Sequence, residues 1–342
     1  MIRVLVAEDS STARALLLEI LGSDPDIEVV GEAHDGREAV ELTHALRPDL
    51  VTMDIQMPSM DGFEATKEIM IASPTPIVIV SGLVQMTEAE AVARALTAGA
   101  LTVLRKPEGP AAAAFDKVSR ELIATVKAMS QVKVVRHRHE PNRFTSLPTL
   151  QRAATGRVVA VATSTGGPAA LHSFLTALPG DFPAPILIVQ HITPGFVGGL
   201  VRSLDAACKI RVKLAEHGER MQRATAYVAP DDFHLGAAAN LTIMLSPEPP
   251  VGGFRPAGTV LFESVARAYG SATVAVILTG MGNDGVAGLR SVRRFGGRII
   301  AQDEDTSVVF GMPEAAIVEG LADQVVALEA IPARVAELIC GG

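Results

Sequence analysis

The chain has 342 residues, which predicts about two domains, and 48% of them are hydrophobic, enough to fill packed cores. Its net charge of −8 argues against binding to nucleic acid through bulk charge. We expect no signal peptide and no membrane insertion, because acidic residues follow the first apolar run at once and no apolar run has the length of a membrane span. The two cysteines, Cys208 and Cys340, fit no metal or redox spacing, which is typical of a cytoplasmic protein.

Apolar runs and helical patterns alternate through the first 107 residues. Segments 11–21 and 37–45 have the spacing of amphipathic helices. The predicted strands are 2–7, 29–31, 50–53, 77–80 and 102–104. This alternation predicts a doubly wound parallel sheet built from five βα units.

Polar residues stand at the carboxyl ends of these strands: Glu8 and Asp9 after the first, Asp54 after the third, Ser81 after the fourth and Lys106 after the fifth. The carboxyl ends of parallel strands meet in one crevice. Three crowded carboxylates repel one another unless a hard cation joins them, and Mg²⁺ prefers oxygen ligands. Asp54 beside Mg²⁺ could attack a phosphoryl group and form an acyl phosphate, whose oxygens Ser81 and Lys106 would hold.

In order and spacing, these motifs resemble a response-regulator receiver domain. The matching segments are Glu8-Asp9-Ser10, the run from Asp54 to Gly62, Ser81-Gly82 and Lys106-Pro107. The resemblance implies that Asp54 is the phospho-acceptor and that a histidine kinase is the phosphodonor. It also implies that Glu8, Asp9 and the main-chain carbonyl of Gln56 bind Mg²⁺, and that Lys106-Pro107 has a cis peptide bond.

A basic, proline-containing stretch follows a predicted helix at 115–129 and has no core pattern, which is typical of a solvated linker. His137 and His139 could form a metal pair, but no third ligand accompanies them, so the linker interpretation is favoured. The basic run 133–143 has no assigned role. The predicted parts of the chain are a receiver at 1–129, a linker at 130–155 and a second domain at 156–342.

A second alternating series begins at Arg157 and predicts a larger parallel, Rossmann-like α/β sheet. Its predicted strands are 157–162, 186–191, 226–230, 241–244, 272–279 and 296–302. Ser164, His191 and Asp284 each stand at the end of one of these strands. A serine hydroxyl becomes nucleophilic when a base takes its proton, and the base works best when a carboxylate orients it. Taken singly, the three residues could instead be a helix N-cap, a structural histidine and a turn residue.

The segment Gly280–Gly285 also fits the glycine pattern of a dinucleotide site, with Asp303 at the distance of a ribose-binding acid. That pattern belongs at the start of a nucleotide-binding half-domain, and too little chain follows it here. An aspartate inside the glycine turn would also repel the pyrophosphate. The dinucleotide interpretation is therefore disfavoured.

The second domain resembles the catalytic domain of the chemotaxis protein-glutamate methylesterases, the CheB family. The matching segments are 164–168, 190–191, 194–196, 227–230, 279–285, 301–303 and 311–316. The resemblance implies that Ser164 attacks the γ-methyl ester of a glutamate on a methyl-accepting chemoreceptor. His191 would act as base and Asp284 would orient it, in a site without a cofactor. By position, the main-chain N–H groups of Thr165 and Met281 are the oxyanion candidates.

The same machinery would release ammonia from glutamine, so receptor deamidation is implied too. We expect the receiver to inhibit the esterase until Asp54 is phosphorylated. Two alternatives stay open at this point: a receiver-regulated serine hydrolase of a different ester, and a non-catalytic binding module under receiver control.

Overall fold

The computed structural model describes residues 1–82, 94–95, 98–109, 115–130, 132 and 156–341. The chain divides into two compact units, Met1–Glu140 and Pro141–Gly342. The basic run 133–143, with His137 and His139, lies outside the described residues. The linker at 130–155 and the domain bounds on either side of it therefore stay predictions.

The first unit is a parallel sheet of five strands in the order β2-β1-β3-β4-β5, which confirms the predicted receiver fold. Strands β3 and β4 are mostly apolar and every one of their residues is buried, as a parallel sheet covered by helices requires. The strands are β1 (Ile2–Ala7), β2 (Ile27–Ala33), β3 (Leu50–Met53), β4 (Ile77–Ser81) and β5 (Thr102–Arg105). The helices whose bounds lie within the described residues are α1 (Ser11–Gly22), α2 (Gly36–Leu46), α3 (Gly62–Ala72) and α4 (Phe115–Met129).

The start of α3 fixes the chain beside Asp54. Asp61 caps this helix, because its Oδ1 accepts hydrogen bonds from the main-chain N–H groups of Phe63 and Glu64 at 2.9 and 2.8 Å. The next residue, Gly62, lies so close to the Asp54 main chain that a Cβ atom there would come within 1.9 Å of the Asp54 carbonyl oxygen. Only glycine allows this approach.

The second unit is a parallel sheet of seven strands in the order β14-β13-β12-β6-β7-β9-β8, with a separate antiparallel pair, β10-β11. Its strands are β6 (Val158–Thr163), β7 (Ile186–Gln190), β8 (Arg211–Leu214), β9 (Thr225–Val228), β10 (His234–Ala238), β11 (Thr242–Ser246), β12 (Thr273–Ile277), β13 (Arg298–Gln302) and β14 (Gln324–Val326). Its α-helices are α5 (Gly167–Thr176), α6 (Val197–Ala207), α7 (Gly258–Tyr269), α8 (Val286–Arg294), α9 (Met312–Val318) and α10 (Ile331–Cys340), and two 3₁₀ turns are Gly270–Ala272 and Leu328–Ala330.

The larger parallel sheet is confirmed, but segment 241–244 is not part of it. The predicted strand there is β11, which pairs antiparallel with β10. A short connection that includes Leu241 with a φ of 63° joins the two strands. A tight turn of this kind can join only antiparallel neighbours, since a parallel pair needs a long crossover.

The strand order of the larger sheet reverses at β6, which has β7 on one side and β12 on the other. In open α/β sheets, ligands bind in the crevice beyond the carboxyl ends at such a switch point. The loops after β12, β6 and β7 therefore line the expected ligand-binding edge. In the part of the chain that the structure describes, no helix combines the length and the apolar character needed to cross a membrane.

Candidate active sites

The three catalytic candidates follow three adjacent strands at the switch point. Ser164 follows β6, His191 follows β7, and Asp284 lies in the loop after β12. The His191 N–H donates to the carbonyl of Thr163 at 3.0 Å, and the Ser164 N–H donates to the carbonyl of Thr279 at 3.0 Å. The sheet hydrogen bonding thus continues to the serine and the histidine themselves and holds their main chains in register.

The imidazole of His191 is bound to the carboxylate of Asp284. Nε2 of His191 lies 2.9 Å from Oδ2 of Asp284, and the two side chains are only 9% and 3% exposed. The other ring nitrogen, Nδ1, is buried and has no hydrogen-bond partner among residues 156–341. A carboxylate at Nε2 favours the tautomer with its proton there, which leaves a lone pair on Nδ1. The imidazole is therefore oriented through Nε2 and can accept a proton at Nδ1.

Asp284 is anchored by more than the histidine. Its Oδ2 also accepts a hydrogen bond from the N–H of Gly258 at 2.5 Å, and its Oδ1 accepts from the N–H groups of Thr259 and Gly285 at 3.0 and 2.8 Å. Gly258 and Thr259 are the first residues of α7, where the positive end of the helix dipole favours an anion. Burial raises the pKa of Asp284, but the hydrogen bonds from His191 and these N–H groups outweigh it and hold the pKa below its ordinary value.

Ser164 lies in the turn between β6 and α5 and is half-buried. The alternative that it caps the helix is wrong, because the N-cap of α5 is Gly166 with a φ of 75° and no side-chain cap. Within the described residues the Ser164 hydroxyl makes no hydrogen bond, so the structure does not form a direct bond between it and His191. Nε2 of Gln190 donates to the carbonyls of Ser164 and His191 at 2.8 and 2.7 Å and so ties the two strand ends together.

Some of the main-chain N–H groups near the serine are already bonded. The N–H of Thr279 donates to the side chain of Gln302 at 2.8 Å, and that of Gly280 donates to a carbonyl at 3.0 Å. In contrast, the N–H groups of Thr165 and Met281 donate to no other residue in the described part of the chain. The two oxyanion candidates thus have available donors, as does Gly166.

The acidic residues of the first unit meet at the carboxyl edge of its sheet. One carboxylate oxygen each from Glu8, Asp9 and Asp54 lies within 4.8 Å of the others, and Glu8 and Asp54 are buried. Nζ of Lys106 is 2.7 Å from Oε2 of Glu8 and 3.1 Å from Oδ2 of Asp54. This cluster of oxygen ligands fits a hard divalent cation such as Mg²⁺.

Burial governs the electrostatics of this cluster. It raises the pKa of Glu8 and of Asp54 above their ordinary values, although Lys106 opposes the shift in both cases. Burial lowers the pKa of Lys106, but its hydrogen bonds and ion pairs with the two carboxylates outweigh this and leave the pKa raised. Lys106 therefore stays protonated beside Asp54, where an added anionic group would need a positive partner.

The remaining predicted residues of the first unit lie at the same edge. Ser81 is the buried last residue of β4, and its carbonyl accepts a hydrogen bond from the Lys106 N–H at 3.0 Å. Gln56 lies two residues after Asp54, with an exposed side chain. The expectation of a cis Lys106-Pro107 bond is wrong, because the one cis bond of the described chain is Arg255-Pro256. The trans form is the preferred one by about 0.5–1 kcal/mol, and Lys106 reaches both carboxylates with it.

Comparison with known proteins assigns both units. The family model for the CheB methylesterase matches residues 159–335, and that for the response regulator receiver domain matches residues 4–114. The chain belongs to the CheB methylesterase family. It is 52% identical to protein-glutamate methylesterase/protein-glutamine glutaminase 4 of Myxococcus xanthus, over 99% of this chain and 98% of that one. It is 41% identical to the enzyme of that name from Thermotoga maritima, over 99% and 98% of the two chains.

A solved structure agrees with this assignment. The CheB methylesterase catalytic domain of Thermotoga maritima superposes with a TM-score of 0.53 and 43% sequence identity, and it covers 54% of this chain and 100% of its own. Nothing in the site supports the dinucleotide alternative. Asp284 is bound to His191, and Oδ1 of Asp303 accepts hydrogen bonds from the N–H and hydroxyl of Thr306 at 3.0 and 2.6 Å, so it closes a local turn.

Sequence reasoning missed several residues of this CheB-family site. Gly258 and Thr259, which anchor Asp284, precede it by 26 and 25 residues, and no local pattern connects them to it. In the sequence, Gln190 is marked only by its place in a matching segment. Phe254, which stacks on His191, was not singled out at all.

Proposed function

We propose that Ser164 is the nucleophile of this methylesterase, that His191 is its general base through Nδ1, and that Asp284 orients the imidazole through Nε2. The observation that carries the proposal is the imidazole itself, whose Nε2 is bound to Asp284 while Nδ1 is buried and without a partner in the described chain, one strand away from Ser164. Catalytic hydrogen bonds often close only in the substrate complex, which fits a Ser164 hydroxyl without a bond to His191.

The chain is a protein-glutamate methylesterase and protein-glutamine glutaminase with a receiver domain. In the proposed reaction, Oγ of Ser164 attacks the γ-carbonyl carbon of a methylated glutamate while its proton passes to Nδ1 of His191. The imidazolium then returns the proton to the leaving methoxide, methanol departs, and an ester joins Ser164 to the substrate. Water attacks this ester with the help of His191 and releases the γ-carboxylate of glutamate and the free serine.

A glutamine substrate follows the same route with ammonia as the leaving group, so one acyl-enzyme serves both activities. The negative oxygen of each tetrahedral intermediate would accept hydrogen bonds from the N–H groups of Thr165 and Met281. Their support is the availability of both donors beside Ser164, where the N–H groups of Thr279 and Gly280 are already bonded. Neither reaction needs a cofactor in this site.

We further propose that Asp54 accepts a phosphoryl group from a histidine kinase. Its carboxylate oxygen would attack phosphorus, and the donor's leaving group would depart from the opposite side. Ser81 and Lys106 would hold the new phosphoryl oxygens. Mg²⁺ held by Glu8, Asp9, Asp54 and the main-chain carbonyl of Gln56 would neutralise part of the charge on the incoming group. The fit of the three carboxylates to a hard cation supports this assignment.

The proposed substrates are methylated glutamates and glutamines on methyl-accepting chemoreceptors. The names of the relatives support the reaction type, hydrolysis at protein glutamate and glutamine side chains. The receiver would restrain the esterase, and phosphorylation of Asp54 would relieve the restraint. No observation favours the two alternatives, hydrolysis of a different ester or a non-catalytic module.

Methanol release from methylated receptor membranes tests the assignment, with and without a small phosphodonor. We expect Ser164→Ala to release no methanol while it still becomes phosphorylated on Asp54. Continued turnover by Ser164→Ala would show that the nucleophile is wrongly assigned. Simple methyl esters serve as the comparison substrate, and preferential hydrolysis of these over receptors would favour the alternative ester hydrolase.

A further inference from the structure

A phenylalanine ring lies flat against the imidazole of His191. The ring centroids of Phe254 and His191 are 4.0 Å apart, and the two planes differ by 2°. We propose that Phe254 is a positioning residue for the reaction: it fixes the plane of the imidazole and stabilises the imidazolium that forms when Ser164 loses its proton. This inference rests on the triad proposed above.

The loop that carries Phe254 is held firmly on both sides of the ring. Val251 and Phe254 exchange two main-chain hydrogen bonds, each of 3.0 Å, which close a tight turn. The guanidinium of Arg255 donates to the carbonyls of Pro247 and Glu248 at 3.0 and 3.3 Å, and so it pulls the end of the loop back onto its beginning. A ring on such a loop has little freedom to leave the imidazole.

A second histidine fastens the same loop to the fold. His234 is buried, its Nδ1 accepts a hydrogen bond from the N–H of Ala257 at 3.2 Å, and its Nε2 lies 3.1 Å from the carbonyl of Pro249. Because Nδ1 accepts, Nε2 carries the proton and donates to that carbonyl. The loop is thus fixed before and after Phe254 by one buried side chain.

The segment from Phe254 to Thr259 contacts both the histidine and the aspartate of the triad. Its ring covers His191, and its last residues, Gly258 and Thr259, donate their N–H groups to Asp284. A single hydrogen bond at Nε2 leaves the imidazole free to tilt about that contact. A parallel ring on one face removes this freedom and keeps Nδ1 directed at its target.

The stack also acts on the charge of the histidine. The face of a phenyl ring is electron-rich and attracts a cation above it more strongly than it attracts a neutral ring. As the general base, His191 gains a proton and is positively charged in the transition state. The contribution of Phe254 therefore grows along the reaction, and an interaction of this kind raises kcat more than it lowers KM.

The test compares Phe254→Leu, which keeps an apolar side chain of similar reach, with Phe254→Tyr, which keeps the ring. Both are made in the full-length protein and assayed for methanol release from methylated receptors. We expect Phe254→Leu to lower kcat by roughly 5- to 10-fold with KM within about 2-fold. We expect Phe254→Tyr to retain at least about half of the wild-type kcat.

Phe295→Leu is the matched control, because it makes the same change at a 43% exposed phenylalanine at the end of α8. It should leave kcat and KM unchanged. Thermal unfolding confirms that each variant is folded at the assay temperature, and Phe254→Met replaces Phe254→Leu if the leucine variant is not. The proposal is overturned if the non-aromatic variant keeps the wild-type kcat or changes only KM. It is also overturned if Phe254→Tyr loses as much activity as the non-aromatic variant.

Discussion

Replacement of Asp284 by asparagine should weaken the fold and the reaction together. The carboxylate accepts four hydrogen bonds, two at each oxygen: from His191 and Gly258 at Oδ2, and from Thr259 and Gly285 at Oδ1. An asparagine has one oxygen and one NH₂ group. In either orientation of the amide, two donors face the NH₂ group. The Gly285 N–H keeps Oγ1 of Thr259 as a second acceptor at 2.9 Å, so one or two donors lose their acceptor, depending on the orientation.

The size of the effect follows from these lost contacts. A hydrogen bond to a charged group contributes about 1.5–3 kcal/mol, so the loss of one or two should lower the unfolding free energy of the catalytic unit by about 1.5–6 kcal/mol. At about 2–4 °C per kcal/mol for a unit of this size, Tm should fall by about 3–24 °C. Without a carboxylate to fix its tautomer and balance its charge, His191 is a poorer base, and kcat should fall by roughly 100- to 10,000-fold.

Calorimetry of the full-length protein measures the first effect and methanol release the second. Asp35→Asn is the matched control: Oδ1 of Asp35 caps α2 by accepting a hydrogen bond from the N–H of Glu38 at 2.9 Å, and asparagine caps helices equally well. It should change neither Tm nor kcat. If Asp284→Asn melts within about 2 °C of the wild type, the carboxylate does not anchor the site as described. If it also keeps its kcat, the triad assignment fails.

Three further outcomes are expected. The pKa of Asp284 is lower in the folded than in the unfolded chain, so the stabilisation by its carboxylate is complete above about pH 4 and is lost as the pH falls through the folded pKa. The difference in Tm between wild type and Asp284→Asn should therefore become smaller in acid, and a larger difference would contradict this reasoning. Gly280→Ala should lower kcat at least about 10-fold, because its Cβ would come 2.7 Å from Cβ of Ser164. The control Gly198→Ala, whose Cβ would lie 3.8 Å from its nearest neighbour, should keep the wild-type kcat. Equal kcat values for the two variants would refute the steric reasoning. Deletion of residues 1–145 should raise basal methanol release, and an unchanged or lower rate would argue against an inhibitory receiver.

The positions of the chemical groups were predictable because they follow apolar strands. A run of buried residues that ends in Ser164 or His191 marks the carboxyl edge of a sheet, and parallel strands bring such edges together. The anchors of Asp284 were not predictable in this way. Gly258 and Thr259 bind Asp284 through main-chain N–H groups, which every residue except proline has. The reasons for their residue types are tertiary contacts: a Cβ at 258 would come 2.8 Å from Cβ of Ala162, and Oγ1 of Thr259 accepts a hydrogen bond from the Gly285 N–H at 2.9 Å.

The edges of the larger sheet were also hidden from sequence analysis. Strand β8 has four residues and β14 has three, too few for a period to emerge, and both lie at the rim of the sheet. Exposure there permits polar side chains, which weakens the apolar signal further. Segment 241–244 did show a strand pattern, but alternation says nothing about the direction of the partner strand.

Asp284 is constrained both by catalysis and by the stability of the fold. The acid that orients His191 also binds the first turn of α7 and the start of α8, so a lineage that no longer needed the esterase would still need this residue to stay folded. The hydroxyl of Ser164 makes no hydrogen bond within the described chain, so the fold does not depend on it in this way. A pseudoenzyme descended from this architecture should therefore be recognised by drift at the serine, with the aspartate retained long after catalysis has ceased.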